Sequence, residues 1–364
     1  MQNDIERVLI YRLGSLGDTV VALPCFHQIA RIYPNAERRL LTNIPVHSKA
    51  PSAFSVLEGS GLVHSFLRYP TSTRSLSELI TLQRQIRAYR AQVLIYLTAR
   101  HTTGEVLRDA AFFHFCGIPQ IIGLPLTRDA RINRLDKATG WYEPEAARLT
   151  RMLHGLGKID LEDASNWDPG LTVDEHKRAA EVLHPVLGRP LLACGIGTKV
   201  QAKDWGAENW RSVLDTLAAE LPQFGLVLVG ASEEVAISDS AAVAWAGRSA
   251  NLCGQLTPRA AAAVLARARL FLGHDSGPMH LAAAVGTPCI AVFSARNRPR
   301  TWFPWGSQHE VVYHRTDCWG CELETCIEQK KKCILSILPA EVLGAVHRVL
   351  ARISLSHNIV PSPQ

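Results

Sequence analysis

The feature that most constrains this chain is a pattern that starts twice. RVLIYRL (7–13) is an apolar run rich in β-formers, GSLGD (14–18) is a turn, and TVVALPCFHQIARIYP (19–34) carries apolar residues at helical spacing. RRLLTN (38–43) follows as a second strand-like run. At residue 188 the order begins again: GRPLLACGIG (188–197) as strand and turn, AENWRSVLDTLAAEL (207–221) as an amphipathic helix, FGLVLVG (224–230) as a strand. A strand joined to a strand through a helix is the connection a parallel pair requires, so each half predicts its own parallel α/β layer. A length of 364 residues exceeds what one core usually serves. The reading is therefore α/β with two Rossmann-like domains, divided near Pro185–Pro190, at 1–186 and 187–340.

Other segments fill in this frame. Helices are expected at 77–90, 142–156, 174–184, 232–246 and 258–268, and strands at 91–98, 269–273 and 287–294. Residues 108–124 read as a helix, a Gly-Ile-Pro stop and a short strand. Pro24 predicts an irregularity in the first helix and Pro34 its end. Residues 125–140 are polar and Arg-rich, a loop; 158–173 is a connector; the last residues, SHNIVPSPQ, should fray.

Composition narrows the function class. With 39 Lys and Arg against 33 Asp and Glu, the formal charge is +6, which suits an acidic partner such as a phosphate or nucleotide. No basic block is interleaved with aromatic residues, which argues against nucleic acid. No uninterrupted apolar stretch is long enough for a membrane span, and the polar start has no signal-peptide core. A cytoplasmic setting with reduced cysteines is expected.

In open α/β sheets, ligands bind beyond the carboxyl ends of the strands. Three loops stand there: 13–18, 194–206 and 273–280. In GHDSGPMHLAAA (273–284), Ser276 and Gly277 let backbone amides converge, Pro278 suits a first helical turn, and the helix dipole favours an anion. The competing reading is an Asp or Ser cap on a core helix. Asp275 would repel a bare phosphate, but it could accept hydrogen bonds from the hydroxyls of a phosphorylated sugar. Lys199 and Lys203, in GTKVQAKDWGAENW (197–210), follow a strand end and could neutralise phosphate charge. LGSLGD (13–18) is neither the G-x-G-x-x-G dinucleotide fingerprint nor a P-loop. Asp18 is either an N-cap or a carboxylate available as a general base.

Together RLGSLGDTVVALP (12–24), KDWGAENW (203–210), GQLT (254–257), GHDSGPMHLAAAVGTP (273–288) and FPWG (303–306) resemble glycosyltransferase family 9, the ADP-heptose:lipopolysaccharide heptosyltransferases. The resemblance implies a GT-B fold, with the acceptor on the N-terminal domain, the donor on the C-terminal one, and a last helix (341–364) returning to the N-terminal domain. It implies inverting, metal-independent transfer from a nucleotide-diphospho-sugar, most closely ADP-heptose, without a cofactor. Asp18 matches the catalytic base. Thr198, Lys199 and Lys203 match positions around the donor diphosphate, and Asp275, Ser276 and Gly277 the donor-sugar and phosphate loop, with His280 in the same set. Glu234, or Glu233 if the register slips by one, would take the ribose hydroxyls; Leu256 would lie against the base. The implied acceptor is a lipid-linked or phosphorylated saccharide such as a lipopolysaccharide core, which puts the protein at the inner face of the inner membrane. Arg100, His101, Arg108, Arg128, Arg131 and Arg134 give the N-terminal half a basic loop population for it, or an ordinary solvated surface, and RNRPR (296–300) lies nearer the donor side.

Cys318, Cys321, Cys326 and Cys333 form C-x2-C-x4-C-x6-C, a spacing that could bind zinc or an iron–sulfur cluster. A comparable segment recurs in family members that need no metal, so structural thiols are the expectation. Two readings of other classes stand beside the transferase. One is a nicotinamide-dependent sugar-nucleotide epimerase or dehydrogenase, which lacks its fingerprint here. The other is a sugar-nucleotide binder without catalysis.

Overall fold

The computed structural model describes residues 4–44, 52–70, 75–99 and 102–357. Arg100, His101 and most of the expected frayed tail lie outside them. The described chain divides into two units, Met1–Thr172 and Val173–Gln364.

In the first unit five strands form one sheet: β1 (Arg7–Tyr11), β2 (Glu37–Ile44), β3 (Ser65–Pro70), β4 (Val93–Tyr96) and β5 (Gln120–Ile122). All pairs are parallel, in the order β3-β2-β1-β4-β5. Val8, Leu9, Ile10, Leu94 and Ile95 are buried regardless of alternation, because helices cover both faces of such a sheet. Pro24 divides the first crossover as expected. A short helix, Leu16–Val20, ends, and a second, Leu23–Ile32, begins with the proline in its first turn, where no backbone N–H is needed.

In the second unit six parallel strands are β6 (Leu191–Gly195), β7 (Gly225–Leu228), β8 (Ser249–Asn251), β9 (Ala268–His274), β10 (Cys289–Phe293) and β11 (Glu310–Tyr313). Their order is β11-β10-β9-β6-β7-β8. Counted from β6 this is the doubly wound order 3-2-1-4-5-6, which reverses between β6 and β9. Three fully buried tryptophans pack beneath it, each with its indole N–H satisfied. Trp205 donates to the Ile337 carbonyl (2.9 Å), Trp245 to the Leu214 carbonyl (2.9 Å) and Trp210 to His274 Nε2 (3.1 Å).

The division falls earlier than the expected 186. The helix Val173–Val182 packs on the helix Pro258–Leu265, where Glu175 holds the nearly buried Arg259 in a two-pronged ion pair (2.5 and 2.9 Å). That pair ties residues 173–186 to the second unit. The last helix, Pro339–His357, buries Val342, Ala345, Val346 and Val349 in the second unit's core, against β10, β11 and the helix Ala207–Glu220. No helix among the described residues is long and apolar enough to cross a membrane.

Candidate functional site

The reversal between β6 and β9 places the loop after β6 beside the loop after β9. Their register sets Gly195 opposite Gly273, and Gly273 leaves no room for a side chain. A Cβ on Gly273 would meet the Phe271 ring and the Gly195 carbonyl at 2.7–2.8 Å. Lys203 leaves the first loop and Asp275 the second. Lys203 Nζ lies 2.7 Å from Asp275 Oδ2 and donates to the Asp275 carbonyl at 3.2 Å.

Asp275 is 5% exposed. Burial pushes its carboxyl up. The Lys203 ammonium and His280, whose Nε2 stands 3.8 Å from Oδ1, more than offset burial and hold it well below the ordinary carboxylate range. Asn297 Nδ2 also donates to Oδ2, at 3.3 Å. Asp275 is thus an ionised carboxylate fixed from three sides, with Oδ1 the less engaged oxygen.

Ser276 is the N-cap of the helix Gly277–Ala284 but makes no side-chain capping bond, and its buried Oγ has no partner. Asp275 does not cap either, because Lys203 and Asn297 occupy it. The helix is apolar almost throughout (Met279, Leu281, Ala282 and Ala284 are buried), so its mouth carries its polarity.

Behind this pair His274 is fully buried. Its Nε2 accepts from the Trp205 backbone N–H (3.0 Å) and from the Trp210 indole, while Nδ1 turns toward the Gly197 carbonyl without closing a full hydrogen bond. Two donors on one ring nitrogen require neutral imidazole. Burial drives the pKa down to about 4.

Glu234, not Glu233, faces the site. Its carboxylate accepts from the Ala231 N–H (3.0 Å) and occupies the space a Cβ would take at Gly197 and Gly230, so a side chain at either position would displace it. Burial raises the Glu234 carboxyl; the Ala231 hydrogen bond and the nearby Lys199 oppose that rise. Glu233 is exposed and takes the Ser232 hydroxyl (3.2 Å). Thr198 Oγ1 accepts from the Val200 N–H (3.3 Å), Lys199 is exposed, and Leu256 is half-buried after Gly254, whose positive φ brings its N–H to the Gly230 carbonyl (2.9 Å).

In the first unit, Asp18 is the third residue of its helix rather than the cap. Ser15 is the N-cap, and Asp18 Oδ2 accepts from the Ser15 N–H (2.7 Å) and hydroxyl (2.8 Å). Gly14, at φ 125, would drive any Cβ into the Asp18 side chain. Below, the buried Arg12 donates to the Asp18 and Leu97 carbonyls, joining the loops after β1 and β4. Asp18 is half-buried at the carboxyl end of β1.

The arginines proposed from sequence are mostly locally engaged. Arg108 pairs with Asp109 (2.8 Å) and Arg134 with Asp129 (2.7 Å), and Arg131 donates to the Pro125 and Leu126 carbonyls. Arg296 donates to the Glu322 and Leu323 carbonyls. Arg128 belongs to a short helix, Arg128–Arg131, inside the expected loop. Among the described residues no group of three or more His, Cys, Asp or Glu side chains is placed to hold a metal ion. Arg12, His274 and Asn297 were not found by sequence reasoning as site residues. Asn297 lies inside RNRPR, the one run that pointed near it.

The family model described as glycosyltransferase family 9 (heptosyltransferase) matches residues 80–332, more than half of the chain. The chain belongs to this family. It is 30% identical over 151 residues to the lipopolysaccharide heptosyltransferase 3 of Escherichia coli, a stretch covering 41% of this chain and 43% of that protein. The curated relatives are matched over 31–43% of their own length. The fold is similar to that of a glycosyl transferase of family 9 from Veillonella parvula, with a TM-score of 0.75 and 20% identity over 97% of this chain and 99% of that one. It is also similar to that of the E. coli heptosyltransferase WaaC with ADP, with a TM-score of 0.64 and 17% identity over 94% and 99%. Two parallel-sheet α/β domains of the GT-B class are what these similarities share with this chain. The assignment favours the transferase over the nicotinamide reading.

Proposed function

We propose that this chain is an inverting glycosyltransferase that moves a sugar, a heptose from ADP-heptose, onto a lipopolysaccharide core or a related surface saccharide. The observation that carries the donor half is the buried Lys203–Asp275–His280 constellation at the strand reversal, beside a helix mouth whose cap serine is unbonded. Lys203 and the first-turn amides would hold the diphosphate and stabilise the charge it gains on leaving. Asp275 Oδ1 would accept a donor-sugar hydroxyl. Glu234 would accept from the ribose hydroxyls, with Leu256 against the base and Thr198 and Lys199 flanking the phosphates. ADP is favoured because a solved structure of this fold, the E. coli heptosyltransferase WaaC, is described with ADP.

Asp18 would act as the general base. Its free oxygen takes the proton of the acceptor hydroxyl, that oxygen attacks the anomeric carbon from the face opposite the leaving group, and the C–O bond to the diphosphate breaks through an oxocarbenium-like transition state. No metal or cofactor enters this scheme. The acceptor reading places the protein at the cytoplasmic face of the inner membrane.

The test is a transfer assay with ADP-heptose and a core acceptor, reading the product's anomeric configuration. Inverted product from wild type, and a fall in kcat of about 10²–10⁴-fold in Asp18→Asn with donor KM kept, is the expected result. Retained configuration, or an Asp18→Asn enzyme as fast as wild type, contradicts the reading.

A further inference from the structure

The cysteine-rich segment is not part of the donor constellation. Residues 318–331 contain no helix or strand. Three of their non-glycine residues, Glu322, Lys330 and Lys331, sit at φ 57, 45 and 57, in the left-handed region that side chains rarely adopt. Such a path persists only where tertiary contacts hold it, and here those contacts run to the turn that carries Lys203 and to the loop after β10, whose Asn297 reaches Asp275.

On one side the segment grips the loop after β10. The Gly320 N–H donates to the Ala295 carbonyl (2.8 Å) and the Glu322 N–H to the Arg296 carbonyl (2.8 Å), while the Arg296 guanidinium donates back to the Glu322 and Leu323 carbonyls, both at 2.6 Å. Arg296 NH1 also donates to Asn297 Oδ1 (3.1 Å), which orients that amide so that its Nδ2 reaches Asp275. On the other side the segment grips the turn after β6. The Ala202 N–H donates to the Glu324 carbonyl (3.0 Å), and the Cys326 N–H to Gln201 Oε1 (2.9 Å). The Lys331 ammonium donates to the Asp204 carbonyl (2.8 Å) and reaches its Oδ2 (3.2 Å). Residues 201–204 are the turn that carries Lys203.

We infer that the Cys318–Lys331 segment is the positioning element of the donor site: through Arg296–Asn297 it orients Asp275, and through Gln201 and Lys331–Asp204 it sets Lys203. Lys331 also occupies Asp204, the carboxylate adjacent in sequence to Lys203 that could otherwise compete with Asp275 for the Lys203 ammonium. The two arms meet in one ion pair, so loosening either arm should weaken the hold on the donor's diphosphate and leave acceptor recognition alone. The inference rests on the proposed nucleotide-diphospho-sugar donor.

The experiment compares wild type with Lys331→Met, Lys331→Arg and Gln201→Met, measuring ADP affinity by titration, the separate KM values for donor and acceptor, and the melting temperature. The expected result is a donor KM and ADP Kd raised about tenfold or more, equivalent to about 1.4 kcal/mol, in Lys331→Met and in the near-isosteric Gln201→Met. Acceptor KM should stay unchanged, and Lys331→Arg should recover most of the affinity. Unchanged donor KM and ADP Kd in both methionine variants overturns the inference, as does loss of donor and acceptor parameters together with melting temperature. A wild-type protein that binds no nucleoside diphosphate overturns the donor reading first and this inference with it; wild-type binding matched by equal binding in the variants overturns only the inference.

Discussion

Replacing Lys203 with methionine tests the electrostatic core of the proposed donor site. The variant keeps an unbranched apolar stem, one heavy atom shorter, and removes the charge. Asp275 is 5% exposed, and its largest stabilising neighbour is the ammonium 2.7 Å away. Removing one partner of a buried pair typically costs about 3–5 kcal/mol. Lys203 is itself 16% exposed, which admits some water, so the lower end, about 3 kcal/mol, is expected at pH 7.5. For a unit of this size that is a fall in melting temperature of roughly 6–12 °C.

The pH dependence supplies a second handle. In wild type the Asp275 carboxyl is depressed, so its contribution is present above the unfolded-state value near ~4 and is lost as pH falls through the lower folded value. In Lys203→Met, burial dominates and raises the carboxyl above its unfolded value. Folding then favours the protonated acid, and the deficit relative to wild type shrinks as pH falls from 7.5 toward 5. Chemical denaturation of both proteins at pH 5, 6 and 7.5 measures this. A deficit under about 0.5 kcal/mol at pH 7.5, or one that grows on acidification, would refute the argument.

Two further outcomes follow from neighbouring groups. Gly197→Ala puts a Cβ into the volume of the Glu234 carboxylate, so Glu234 must swing away; ADP affinity should fall about tenfold with little change in melting temperature, and unchanged affinity would remove Glu234 from the nucleotide site. His274 and His309 are both driven by burial to a pKa of about 4, below their unfolded value near ~6.5. Their contribution is complete above that unfolded value and is lost as pH falls from about 6.5 toward 4, with an upper bound of roughly 3 kcal/mol each. A melting temperature flat between pH 6.5 and 4.5, or no proton uptake on unfolding at pH 5.5, would contradict this.

The parts of the fold legible in the sequence are those where burial writes a pattern. β1, β6, β7, β9 and β10 are continuous apolar runs because both faces are covered, and Pro24 marks the break it causes. The edge strands β3, β8 and β11 went unread: SFLRYP, SAN and EVVY are short or half-exposed and carry no such run. The boundary differs because the helix Val173–Val182 packs on the helix Pro258–Leu265, a contact distant in sequence that the prolines at residues 185–190 do not announce. In the site, residue types at strand ends pointed to Asp275, Lys203 and Asp18. Their states were hidden, since pairing of Lys203 with Asp275 and the third-residue place of Asp18 depend on partners distant in sequence or on backbone angles. The grip of residues 318–331 on the loop after β10 and the turn after β6 runs largely through backbone amides and carbonyls, which no side-chain pattern announces.

The most direct test of the account is a titration of the intact protein with ADP, UDP, GDP and NAD, repeated on Lys203→Ala and Asp18→Asn. The account predicts that ADP binds wild type, that Lys203→Ala weakens it at least tenfold, and that Asp18→Asn binds it as wild type does. Binding of NAD with no nucleoside diphosphate, or ADP affinity indifferent to Lys203, would contradict it.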